Sequence, residues 1–205
     1  HEDSIEIRLG HKEEGHRYDA SYPPAPQIAT RDRRFPIRGR ILADGSEHEP
    51  LNEQDILDAI EVLKQQDVQA VAISFVWSIR NTEHEQRAKE LIEQHMPGVF
   101  VCCGSEVYTQ IKEYTRTSTT LVNAYLSPFM ASYVHKIDDY FKALGAEQPV
   151  RYFQSNGGLA VGNIMRERAV NAINSGPASA PQAGLYIASA FGIDNIITVD
   201  MGGTS

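Results

Sequence analysis

VQAVAISFVWSIRNTEHEQRAKELIEQHMPGVFVCC, residues 68–103, decides the fold class of this chain. Residues 68–77 are almost continuously apolar and rich in β-branched side chains, the composition of a strand covered on both faces. Asn81 then opens a segment in which Ala88, Leu91, Ile92 and His95 fall on one side of a helix, and Pro97-Gly98 stops it. Residues 99–103, VFVCC, return to strand character. Two strands joined through a helix run parallel, because a crossover of this length carries the chain back to the end of the sheet where it started.

On the N-terminal side, Ile56, Leu57, Ile60 and Leu63 recur at helical spacing over 52–66, with Asn52 as N-cap. Before it, PIRGRILADGS (36–46) reads as a strand running into an Asp44-Gly45 turn. The opening residues are polar and lead to Pro23, Pro24 and Pro26. They read as connecting chain with at most one short strand, over 5–9. His1, His11 and His16 stand among Glu2, Asp3, Glu13 and Glu14, but the spacing is irregular and suits a solvated surface better than a metal site.

On the C-terminal side, Ser127-Pro128 is a helix-start signal. Phe129, Met130, Tyr133, Val134, Ile137, Tyr140, Phe141 and Leu144 follow as an expected core stripe, closed by Gly145. VRYFQ (150–154) predicts a strand entering Ser155-Asn156-Gly157-Gly158. Residues 174–192 predict a helix with Pro177 in its first turn and Gly192 at its stop. Ala178, Ala180, Ala183, Gly184 and Ala188 make that helix thin-sided, able to lie close to a neighbour. NIITVD (195–200) predicts a last strand.

The chain has 205 residues, 41% of them hydrophobic, enough for one core or two small ones. A net charge of −8 argues against nucleic acid as a partner. No run is long enough to span a membrane. The only cysteines, Cys102 and Cys103, are adjacent. They read as buried reduced thiols, which places the expected compartment in the cytoplasm.

The chemistry concentrates in three glycine segments: QSNGGL, NSGPAS and DMGGTS. Glycine lets a ligand approach backbone N–H groups without a Cβ in the way. Successive N–H groups form anion cradles, and a helix N-terminus adds unpaired N–H donors. Gly157, Gly158, Ser175, Gly176, Gly202, Gly203, Thr204 and Ser205 are therefore candidate phosphate ligands. Asp200 is the candidate acid for a Mg²⁺ ion beside the phosphates. Asn156 is a candidate for a substrate or phosphate contact. Each segment also has an ordinary reading, as a hairpin turn, a capped helix or a turning strand. The polar run Arg116-Thr117-Ser118-Thr119 either reaches a site or caps a helix start, and Glu106 and Glu113 are possible acids or bases, though ordinary surface charge explains them equally.

FQSNGGL, NSGPA and ITVDMGGTS, together with EYTRTSTTLVNAYLSP (113–128) and AVAISFVWSIRNTEHEQRA (70–88), resemble the hydantoinase A / 5-oxoprolinase family. That family includes ATP-dependent N-methylhydantoinases, 5-oxoprolinases and subunits of acetone and acetophenone carboxylases. The resemblance implies an α/β fold of βαβ units with a mainly parallel sheet, part of an actin-like, ribonuclease H-like ATPase. It implies an N-terminal-domain remnant over 1–115 and the start of the ATPase core over 116–205, so that the chain is an internal fragment ending within a nucleotide site and inactive alone. It further implies ATP and Mg²⁺ as cofactors, and a cyclic amide or a ketone as substrate. A hydantoinase B-type subunit is the implied partner. The chemistry would be phosphorylation of a lactam or hydantoin carbonyl before hydrolysis. The alternatives are a ketone carboxylase subunit or a non-catalytic subunit-binding domain. One position departs from the family: Ala180 stands where glycine is common after SGPA.

Overall fold

The computed structural model describes residues 14–16, 18–22 and 27–202. The strand expected over 5–9 lies outside them, as do His1, His11, Glu2, Asp3 and Glu13. His16 stands on the surface, 3.5 Å from Asp19. No group of His, Cys, Asp and Glu that could hold a metal ion occurs among the described residues. The α/β class holds, and the chain divides into two compact units, His1–Tyr125 and Leu126–Ser205.

The first unit is built on the segment that opened the sequence reading. Strands β1 (Arg40–Ile41) and β2 (Glu47–Glu49) form a hairpin, turning at Gly45, whose φ is +90°. Helix α1 (Glu53–Gln65) follows, and the Asn52 side chain accepts the Asp55 N–H at 3.1 Å, the cap the sequence predicts. Strand β3 (Ala70–Ile73), helix α2 (Glu83–His95) and strand β4 (Phe100–Cys103) make the expected crossover. β3 and β4 pair in parallel, Ala70 opposite Phe100 through Ile73 opposite Cys103. The apolar stripes of the two helices close over one face of this pair. Ile56, Ile60 and Leu63 of α1 and Ala88, Leu91 and Ile92 of α2 bury Ile73, Val101 and Cys103.

β3 is shorter than the apolar run 68–77. It ends at Ile73 because the Phe75 N–H is taken by a side chain, Glu85 Oε1 at 2.9 Å, and Trp77 adopts a positive φ of 61°. Glu85, on α2, is fully buried. Its other oxygen accepts the Ser105 N–H at 2.8 Å and the Ser105 hydroxyl at 2.6 Å. One carboxylate thus ties the loop after β3 to the short helix α3 (Gly104–Val107) that follows β4.

Alternation along β4 sends its two thiols to opposite faces. Cys103 Sγ donates to the Glu85 carbonyl, and Cys102 Sγ to the Thr120 carbonyl. Burial pushes the Cys102 thiol up to about 11 and moves Cys103 in the same direction. The thiolate is the reactive form. At pH 8 a disulfide-exchange reagent is therefore expected to label neither cysteine in the folded protein and both in urea. Rapid labelling of either under native conditions would contradict this packing.

Helix α4 (Glu113–Ala143) corrects the expected helix start at Ser127. It begins well upstream, and Pro128 lies inside it, deleting the hydrogen bond that would reach the Ala124 carbonyl. The helix persists because Arg116, Thr120, Asn123 and Ser127 fall on one face and are fully buried. This stripe is polar, so a search for apolar periodicity passes over it. Residues 116–119 lie inside the helix and are not its cap. Arg116 donates to the Gln110 carbonyl at 3.1 Å, the Phe75 carbonyl at 3.3 Å and Glu113 at 3.1 Å. Glu113 and Glu106 are both engaged in ion pairs, with Arg116 and Lys89. Burial works against their ionised forms, but Gln86 and Lys89 beside Glu106, and Arg116 beside Glu113, hold both carboxyls below the usual range.

The second unit holds the end of α4, the antiparallel hairpin β5 (Arg151–Phe153) and β6 (Leu159–Val161), helix α5 (Gly162–Glu167) and helix α6 (Ser175–Ala190). Of the stripe expected as core after Pro128, only Val134 is fully buried. Phe129, Tyr133, Tyr140, Phe141 and Leu144 are exposed. Val134 packs where Gly162 brings the backbone close, and a Cβ on Gly162 would collide with Asp138 Oδ2 and Val134. The Tyr152 hydroxyl donates to Asp138 Oδ1 at 2.7 Å and fixes β5 to α4. Residues 195–200 form no strand, contrary to the expectation. A strand exists only through a hydrogen-bonded neighbour, and no described residue pairs with them.

Candidate functional site

The SNGG segment is the turn of the β5–β6 hairpin. Gly157 has φ +79°, which favours glycine. Its N–H donates to the Gln154 carbonyl at 2.9 Å. The Gly158 N–H donates to Asn156 Oδ1 at 2.8 Å. Both amides are thus engaged within the turn. The Ser155 N–H reaches the Asn171 carbonyl at 2.7 Å, and Asn171 donates to Gln154 Oε1 at 3.1 Å, so the base of the turn is bound to the chain leading into α6.

The turn also meets α6 directly. A Cβ placed on Gly157 would stand 3.1 Å from Gln182 Nε2. Gln182 is in the second turn of the helix whose first turn holds Ser175 and Gly176. Pro177 sits in that first turn, where its missing N–H costs nothing, as expected. The Ala178 N–H closes onto the Asn174 carbonyl at 3.1 Å. The N–H groups of Ser175 and Gly176, in the first turn, have no partner inside the helix and none among the other described residues. Asn174 adopts the left-handed conformation there, with φ +55°.

Gly192, φ +66°, ends α6, and the Ile193 N–H caps back onto Ala188. The chain then reverses along the helix. Thr198 packs against Gly184 so closely that any Cβ there would strike its methyl group, and Ile196 Cδ1 lies 3.4 Å from the same point. The thin side expected of this helix is used here. The chain leading to Asp200 is thus held against α6 at Gly184. Asp200 is exposed and has no hydrogen-bond or ion-pair partner among the described residues. Gly203, Thr204 and Ser205 lie outside them.

The structure thus joins the SNGG turn to the SGPA helix through Gly157 and Gln182, and lays the chain before DMGG on that helix through Gly184. Gln182 carried no signal in the sequence, since a glutamine inside a helix resembles any solvated residue.

Two family models match the chain. The hydantoinase/oxoprolinase N-terminal region covers residues 2–96, and hydantoinase/oxoprolinase covers residues 116–205. The chain belongs to the hydantoinase/oxoprolinase family. Caprolactamase subunit alpha of Pseudomonas jessenii is 68% identical over 205 residues, matching 100% of this chain and 30% of that protein. The crystal structure of ATP-dependent caprolactamase from the same organism superimposes with a TM-score of 0.87, again over 100% of this chain and 30% of its own. The acetophenone carboxylase gamma subunit of Aromatoleum aromaticum is 32% identical, over 89% of this chain and 25% of its own length. The chain therefore spans under a third of the length of these relatives. No helix among the described residues is long and apolar enough to cross a membrane.

Proposed function

We propose that this chain is part of an ATP-dependent cyclic-amide hydrolase, with the 1–115 segment completing an N-terminal domain and 116–205 opening the ATPase core. The observation that supports the reading is the packing of Thr198 on Gly184, which holds the chain leading to Asp200 against the helix that Ser175 and Gly176 begin. The 68% identity to a caprolactamase subunit supports a lactam as the substrate class.

A lactam carbonyl is a poor electrophile. Moving the terminal phosphoryl group of ATP onto its oxygen releases ADP and activates the carbon; water adds there, the C–N bond breaks as the ring nitrogen takes a proton, and a second water hydrolyses the resulting acyl phosphate to carboxylate and phosphate. Catalysis of phosphoryl transfer is chiefly positioning and charge neutralisation. Ser175, Gly176, Gly202 and Gly203 would supply backbone donors to phosphate oxygens, and Thr204 and Ser205 hydroxyls. The exposed carboxylate of Asp200 suits a hard cation, and Mg²⁺ bound there would offset phosphate charge. The subunit names of the relatives support a hetero-oligomer, for which a B-type subunit is our proposed partner, and two buried thiols support a reducing cytoplasm.

The test is Mg-ATP binding by the full-length protein with its partner subunit, wild type against Asp200→Ala. Affinity is expected to fall at least about tenfold. Equal binding by the two proteins would refute the role given to Asp200. A carboxylase is the second reading, favoured by the acetophenone carboxylase relative. It predicts phosphate release driven by ketone and bicarbonate instead of lactam.

A further inference from the structure

Resting on the function proposed above, we propose that Gln182 and Asn156 form the subsite that holds the amide group of the substrate, while phosphate is held elsewhere. The two glycine N–H groups of the hairpin turn, attractive as phosphate donors in the sequence, are both engaged inside the turn. The turn presents carboxamides instead. Asn156 Oδ1 accepts the Gly158 N–H, which fixes the side chain and leaves its Nδ2 amide without a partner among the described residues. Gln182 reaches the same turn from α6, its amide resting on the face of Gly157 that a Cβ would occupy. Its carboxamide has no hydrogen-bond partner among the described residues and is open to solvent.

The chemistry of this pair selects its ligand. A carboxamide carries a donor and an acceptor side by side, and so does the ring amide of a lactam, with N–H and C=O on the same edge. The two match in a two-point pairing. A phosphate offers acceptors alone and is best held by guanidinium, ammonium or a row of free N–H groups. No Lys or Arg side chain is bonded to this turn among the described residues, and its glycine amides are occupied. The helix-start donors of Ser175 and Gly176 fit the phosphate; the carboxamides fit the amide.

The experiment uses the full-length protein with its partner subunit, caprolactam as the probe, and Gln182→Ala and Gln182→Glu. Caprolactam-dependent phosphate release and Mg-ATP affinity are measured on each. Loss of one hydrogen-bonding group should raise the KM for caprolactam about tenfold in Gln182→Ala. Mg-ATP affinity should stay within about twofold of wild type in both variants, since this subsite is given no phosphate contact. An unchanged KM overturns the subsite. So does a parallel loss of Mg-ATP affinity, which would make Gln182 a phosphate ligand. Absence of amide-dependent phosphate release in the wild type, across lactams and hydantoins, overturns the proposed function itself and the subsite with it.

Discussion

Glu85→Ala is expected to destabilise the first unit by about 2–4 kcal/mol, the cost of stripping neutral donors of a buried charged acceptor. The carboxylate is fully buried and accepts three hydrogen bonds, from the N–H of Phe75 and from the N–H and hydroxyl of Ser105. Removing it leaves those donors in a space too closed for water to replace every bond, and each unsatisfied buried group costs about 1–3 kcal/mol. The loops after β3 and β4 would both loosen. Trp77, the chain's single tryptophan, lies in the first of them and reports on it. Urea unfolding followed by Trp77 fluorescence should show a lower midpoint for Glu85→Ala. Glu85→Gln should lie between it and wild type, because the amide oxygen can still accept. An Ala midpoint equal to wild type would mean the network contributes nothing.

Arg116→Ala is expected to cost a similar amount, about 2–4 kcal/mol, from the lost hydrogen bonds of a charged donor and the lost packing of a buried side chain. The guanidinium is fully buried and divides its donors among two carbonyls and Glu113. Arg116→Lys should restore little. An ammonium is a compact charge on a flexible stem and cannot hold the Gln110 and Phe75 carbonyls and Glu113 together in the fixed fork that arginine provides. Midpoints of the two variants within experimental error of each other, both well below wild type, are the expected result. Full rescue by lysine would show that charge alone matters at this position.

The parts of the fold that the sequence made legible are those governed by local rules. α1 and α2 follow apolar periodicity, Asn52 caps as a side-chain acceptor should, and Gly45, Gly157 and Gly192 stand where the backbone turns left-handed. The early start of α4 was hidden because its buried face is Arg116, Thr120, Asn123 and Ser127, and polar residues carry no hydrophobic period. Ser127-Pro128 then imitated a beginning. Residues 195–200 have strand composition, but pairing depends on a neighbour that local sequence does not specify. The candidate site was half legible. Glycine positions marked where backbone could approach a ligand, yet the folded hairpin turns the Gly157 and Gly158 N–H groups inward. Gln182 enters through the fold alone, by leaning across a glycine distant from it in the chain.

The run from Ile193 to Met201 bears on the protein's colloidal behaviour. Ile193, Ile197, Val199 and Met201 are all more than half exposed, and the stretch contains no proline. Short segments of this kind template cross-β stacking unless charges flank them. Asp194 and Asp200 are the charges within this run, and in this chain Asp200 is expected to act as a gatekeeper against self-association. Its replacement by alanine removes half of that protection, and samples of the variant will demand dilution that the parent protein does not.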